Sequence, residues 1–273
     1  MSGAAHVIPL RGGFRLIGEE FRLAQETIIC ARRSPAASCI ATRVREAKFV
    51  QIDIVAGCGS DLGWASSARG IDLRLADPLQ ASELYRYAWL VGRLPVRVSI
   101  PSTAGVASAV HIAIALGMAI KLEFPPDEAV TCDELEGVLD LYLHGRFVGQ
   151  PVEPFHSLLQ AAFHHRPENV WRVQDEDPAY FRYISGEGQP MLPGRLDRKP
   201  TTQLDKRFVA CWRPAASRPG LPCCACPFED TCRGYFQWPD PSSRCNARPL
   251  LERIAQAARE LAEDLKRAGA SPA

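Results

Sequence analysis

Ten cysteines run through this 273-residue chain, and five of them fall in the 24 residues from Pro222 to Cys245. Four of those five fit one spacing, Cys223-x2-Cys226-x5-Cys232-x12-Cys245. Four soft thiolates within reach of one point are what a tetrahedral or cubane metal site requires. Structural zinc usually takes two tight CxxC knuckles, and here a single pair is CxxC while the other two thiols stand apart. A cubane asks for one thiolate at each corner and lets the chain wrap around it, so the spacing favours a [4Fe–4S] cluster over Zn. Cys224 adjoins Cys223 and is a second choice of ligand. Cys211, upstream of the group, is a further or exchangeable one. Tyr235, Phe236 and Trp238 follow closely and are expected to shield a cluster from water.

Bulk composition narrows the classes around that site. The apolar share of 47% and charged share of 23% are those of a globular protein with an ordinary core, so the cysteines are not needed to staple a coreless fold. No apolar run reaches the length of a membrane helix, and the first residues show no basic then apolar leader, so a cytoplasmic protein is expected. In that compartment CxxC spacing points to metal or redox chemistry rather than disulfides. The net charge of +1 divides unevenly: residues 1–194 carry 18 Lys/Arg against 22 Asp/Glu, residues 195–273 carry 14 against 9. The basic part would favour an acidic peptide or anionic cofactor. Its charges are too dispersed for nucleic acid, and no membrane partner is expected.

The elements that must position the cysteines read as βα units. KFVQIDIVAG from Lys48, Ile71–Leu75, Val96–Ile100 and Ala119–Phe124 are strand-like, and a further strand is expected near Phe14–Ile17. Between them, Asp77-Pro78 opens a helix through Val91, with Asp77 as N-cap. Val106–Leu116 is an apolar helix closed by Gly117, and Thr131–His144 begins with a capping box, Thr131 and Glu134. Glu19–Ala31 reads as another helix. Steps of about 23–25 residues between strands mean a parallel sheet, here an open or partial (βα) barrel over residues 1–190. Residues 191–273 form the cysteine-rich segment and a terminal amphipathic helix, its apolar stripe at Leu250, Leu251, Ile254, Ala258, Leu261 and Leu265.

Other polar groups read more plainly. Asp175-Glu176-Asp177 is expected to be a solvated turn. Glu153, His156 and Ser157 are expected to cap a helix, and His164-His165 to end one. Gly57-Cys58-Gly59 lacks a dinucleotide or P-loop fingerprint. A site at the strand ends near Cys58 and Ser102 remains a separate enzymatic reading.

The run CxxCx5CxGYF with a further cysteine and a terminal helix resembles the C-terminal SPASM or twitch region of radical SAM proteins. That resemblance implies that Cys223, Cys226, Cys232 and Cys245 hold an auxiliary [4Fe–4S] cluster and that the preceding units form a radical-SAM-type barrel. The fourth core cysteine of that pattern would fall at Phe236 and is absent, leaving Cys211 as the remnant of a second cluster's ligands. No CxxxCxxC triplet occurs anywhere, and Cys30, Cys39 and Cys58 cannot form one by spacing. What the resemblance implies is therefore a catalytically degenerate radical SAM-like protein. It would assist a true radical SAM enzyme, or a precursor peptide's maturation, by relaying electrons or binding substrate. A zinc-stabilised binding or adaptor protein without redox role is the alternative.

Overall fold

The computed structural model describes residues 26–31, 47–54, 68–125, 132–185, 190–193, 195–196 and 206–268. In chain order the described elements begin with β1 (Glu26–Ala31), β2 (Ala47–Ile54), β3 (Ile71–Leu75), a 3-10 helix (Pro78–Leu90), β4 (Val96–Pro101), α1 (Val106–Ala115), β5 (Ala119–Glu123) and α2 (Cys132–His144). They continue with β6 (Val152–Glu153), α3 (Phe155–Phe163), α4 (Val170–Val173), β7 (Phe181–Ser185), β8 (Pro190–Met191), α5 (Phe208–Ala216), α6 (Glu229–Cys232) and α7 (Arg248–Arg267).

The described strands make one eight-stranded sheet in the order β6-β5-β4-β3-β2-β1-β7-β8. Every neighbouring pair is parallel except β7 with β8. The chain is α/β. From β1 to β6 each new strand is laid on the same side of the last, and β7 then joins on the other side of β1.

The strands alternate between two faces, and the two are chemically unlike. Val50, Ile52, Ile54, Ile71, Leu73, Val96, Val98, Ile100, Ile120, Leu122 and Val152 are buried on one face, in the same core as α1, α2 and α3. The opposite face carries Cys30, Gln51, Asp53, Asp72, Arg74, Arg97, Ser99, Lys121, Glu123 and Glu153, each brought beside the next by the parallel register. Residues of α5, of the cysteine segment and of α7 join the first core, which is continuous across the expected boundary near residue 190.

Several local expectations are met and some are corrected. Asp77 caps its helix by accepting from Leu79 N at 2.9 Å, but the helix is 3-10 rather than α. Its buried residues are Pro78, Ala81, Leu84, Tyr87 and Leu90, a strict step of three that suits three residues per turn. The capping box expected at Thr131 and Glu134 rests on Thr131, which lies outside the described residues, and the structure gives Glu134 a further contact. Its carboxylate reaches back to the preceding helix, accepting from Gly105 N and Ala107 N at 3.1 and 3.2 Å. It thereby satisfies donors that α1 leaves open, since Gly105 has φ 88° and no capping side chain of its own.

The expected helix Glu19–Ala31 is overturned over Glu26–Ala31, which is strand β1 at the middle of the sheet. The run ETIICA is rich in β-branched residues, and pairing on both sides outweighs any helical period. Phe14–Ile17, Cys39, Cys58 and Thr131 lie outside the described residues. The strands β6, β7 and β8 went unrecognised in the sequence because two of them are two residues long and β7 follows directly on the acidic run.

Candidate functional site

The cysteine segment begins where α5 ends. α5 carries Trp212, whose indole N–H donates to Gly234 O at 2.9 Å. Trp171 on α4 donates to Arg233 O at 3.2 Å, and Trp238 donates to Arg195 O at 3.2 Å. Two indoles therefore pin the backbone of the Cys232-x-Gly-Tyr-Phe motif, and a third, Trp238, ties the end of the same stretch to Arg195. Arg233 and Gly234 both take left-handed backbone, φ 49° and 70°. A Cβ on Gly234 would stand 2.7 Å from both Trp212 Nε1 and Ala216 Cβ, so the glycine is required by close approach as well as by φ.

Arg195 ties this segment to the sheet. Its guanidinium donates to Phe124 O, just past the C-terminal end of β5, and to Tyr235 O at 3.1 Å. It also stacks 4.2 Å over the Tyr235 ring. Phe124 meets Tyr235 and Phe236 edge-to-face at 6.5 and 5.2 Å. The cysteines are thus carried at the C-terminal edge of the parallel sheet, the edge at which α/β folds place their chemistry.

Cys223 and Cys232 are buried, Cys226 and Cys245 half-buried, and all four are free thiols. Cys226 N donates to Cys223 O at 3.2 Å and Cys232 N to Phe228 O at 2.7 Å, so tight turns bring each in. Cys223 interacts electrostatically with Cys245 and Cys226, and Cys232 with Cys245 and Cys223. The four expected ligands are therefore one another's neighbours. Among the described residues no group of three or more His, Cys, Asp or Glu is drawn in tightly enough to hold a single ion.

Burial pushes the Cys223 thiol up to about 11, with Cys245 and Cys226 adding to it, and burial pushes Cys232 up to about 12. Against that rise, the main-chain N–H groups of Phe236 and Tyr235 face the Cys232 sulfur and favour its thiolate. Cys211 and Cys224 are exposed, and neither is among the groups that interact with the buried thiols. Among the aromatics, Tyr235 is fully buried against Trp171 and Phe124, while Trp238 meets Phe208 and Trp212 edge-to-face.

A second polar centre lies on the other face of the sheet, and the sequence did not reveal it. Asp175, Glu176 and Asp177, expected to be a solvated turn, are only 3, 7 and 3% exposed. The correction has a clear cause: buried cations meet them. Arg97 on β4 donates to Asp175 at 2.7 Å and to Asp72 on β3 at 2.8 Å. Ser99 Oγ donates to Asp72 at 2.8 Å, Gln51 Nε2 to Asp72 at 3.1 Å, and the Cys30 thiol to Gln51 at 3.3 Å. Glu176 faces Arg195 at 3.9 Å and interacts with Lys121. Burial raises its carboxyl above the usual range, with Arg195 and Lys121 pulling the other way.

The helix-start residues are likewise better connected than capping alone would make them. Glu153 accepts from Ser157 Oγ at 2.8 Å and Ser157 N at 3.1 Å, and the His156 ring meets the Tyr142 hydroxyl at 2.7 Å. His164 and His165 are exposed at the end of α3, as expected. Ser102 is buried, with no hydrogen-bond partner for its hydroxyl among the described residues.

The one signal that could have exposed the second centre is the alternation Gln51-x-Asp53, Asp72-x-Arg74, Arg97-x-Ser99 and Lys121-x-Glu123. Each pair interrupts an apolar strand with period two, which marks a polar face buried in the fold rather than a solvent face. Among the described residues no helix is long and apolar enough to cross a membrane. Compared with known protein families, with curated proteins and with solved structures, the chain matches none.

Proposed function

We propose that Cys223, Cys226, Cys232 and Cys245 hold a [4Fe–4S] cluster. In this reading the chain is a catalytically degenerate radical SAM-like protein, an open (βα) barrel with one auxiliary-type cluster. It assists a radical SAM enzyme or a precursor peptide in maturation by relaying electrons or binding substrate. The single observation that carries the reading is the mutual proximity of these four thiols beside the C-terminal end of β5 in a mostly parallel sheet.

The donor set fits the group. All four donors are sulfur, two are buried, and one receives main-chain N–H groups of the kind that tune cluster thiolates. A bound cluster supplies one-electron transfer. The chain's own residues hold the thiolates in place through the Trp171, Trp212 and Arg195 contacts to the Arg233–Trp238 backbone. Zinc would use the same four donors without redox chemistry, so the two readings part on the metal alone.

Anaerobic purification tests this. A brown protein with about four Fe and matching sulfide per chain is the expected outcome. A colourless protein carrying a single Zn overturns it in favour of an adaptor role.

A further inference from the structure

The end of α2 carries an aromatic side chain held out into solvent. The helix closes at Gly145, whose N–H donates to Leu141 O at 2.8 Å. Val148 N then donates back to Gly145 O at 3.3 Å, making a four-residue turn with Arg146 and Phe147 at its tip. A Cβ on Gly145 would stand 2.8 Å from Val148 Cγ2, so the glycine lets the turn close this tightly. Phe147 is 91% exposed, the most exposed of the large apolar side chains described, and Arg146 beside it is exposed too. A phenylalanine fixed at a turn tip keeps apolar surface in water with no return inside one copy of the chain.

A groove adjoins this turn. It encloses about 520 Å³ between the end of α2, α3 and α7. Leu143, Val148, Leu159, Ala257 and Leu261 form its apolar lining, and Leu261 is itself exposed. α7 buries Leu250, Leu251, Ile254 and Ala258, and its apolar stripe then runs on to Leu261, beyond the part that its own core covers. The two arginines beside the groove are already matched by carboxylates, Arg253 by Asp140 across the α2–α7 seam and Arg267 by Asp264. Glu260, also lining the groove, accepts from the neutral amide of Gln256 at 2.7 Å, so its negative charge is the one in excess there.

We propose that two copies of this chain meet on this face, the Arg146–Phe147 turn of each seated in the groove of the other. The two parts are chemically complementary. The turn offers a cation next to an aromatic ring, and the groove offers an apolar lining with the Glu260 carboxylate beside it. Turn and groove also adjoin, since Phe147 precedes the groove-lining Val148, so a single two-fold axis passing close by makes both contacts at once. One turn in one groove buries too little for a lasting interface, and the symmetry doubles it. No residue of the cysteine segment lines the groove, so the contact is independent of the metal reading.

Sedimentation equilibrium of the full chain in the micromolar range tests this, in reductant so that the exposed Cys211 and Cys224 cannot link copies. The expected mass is twice that of one chain. Phe147→Ser and Leu261→Ser should each raise the dimer dissociation constant at least about tenfold. Both side chains are exposed, so the far-UV circular dichroism of each variant should match that of the parent chain. Arg146→Glu should weaken the dimer, and adding Glu260→Arg to it should restore the affinity. A monomeric parent chain overturns the proposal and leaves the groove to a different partner. A dimer that survives Phe147→Ser unchanged puts the interface elsewhere and overturns it as well. A double variant no tighter than Arg146→Glu alone overturns the pairing of Arg146 with Glu260.

Discussion

Residues decide this protein's chemistry in two places, and burial acts differently in each. In the cysteine segment it divides the thiols: Cys223 and Cys232 are buried, Cys226 and Cys245 half-buried, Cys211 and Cys224 exposed. Cys232→Ala is expected to abolish metal retention and Cys224→Ala to leave it unchanged, measured as metal per chain after desalting. The reverse pattern would assign the ligand wrongly. On the sheet face, Arg97 bridges two buried carboxylates through separate nitrogens. Replacing it with Met removes the buried cation that Asp72 and Asp175 share, at a cost of about 3–5 kcal/mol in a denaturant titration. Arg97→Lys keeps the charge but not the fork, and should recover only part of that loss.

At the scale of elements, the informative contacts join pieces distant in sequence. Glu134 on α2 closes the first turn of α1. Glu134→Ala should therefore lower stability by about 1 kcal/mol, as for loss of a helix cap, seen as a lower melting temperature with metal content unchanged. The bend at Gly234 lets the backbone touch Trp212, and Gly234→Ala meets both a 2.7 Å obstruction and positive φ. That substitution is expected to cost about 1–3 kcal/mol and to reduce metal retention together with stability, because the same bend sets Cys232. A variant that loses stability while retaining full metal would separate the bend from the site.

For the whole molecule, the buried thiols couple folding to pH. Cys223 and Cys232 titrate near 11 and 12 in the folded metal-free chain, against an ordinary 9.0. The folded state thus holds these protons more tightly than the unfolded one. Their contribution is complete below about pH 9 and is lost as pH rises through the folded values. The metal-free chain should show a lower urea midpoint at about pH 11 than at about pH 8, beyond any change in a Cys223→Ser/Cys232→Ser variant. Metal uptake runs in the opposite sense, because it must displace those protons and so strengthens with rising pH.

How much was legible follows from what each signal depends on. The four-cysteine spacing, the strands β2 to β5, the helix closed by Gly117 and the terminal amphipathic helix were all readable, because each is a local pattern of residue type and period. The acidic run 175–177 was not. Its residues look solvated in one dimension, and only the arrival of Arg97 from β4 and Arg195 from beyond β8 makes their burial possible. Strand β1 escaped because its identity rests on pairing with β2 and β7 rather than on its own six residues.

The sequence by itself therefore determined the four-thiol spacing of Cys223, Cys226, Cys232 and Cys245 and the alternating βα plan. The tertiary structure alone decided that these thiols stand at the C-terminal edge of β5, and that the sheet's second face is a buried network of charges. The reason is physical. Spacing along the chain is carried by covalent geometry, whereas a charge can be buried only where another part of the fold supplies its partner.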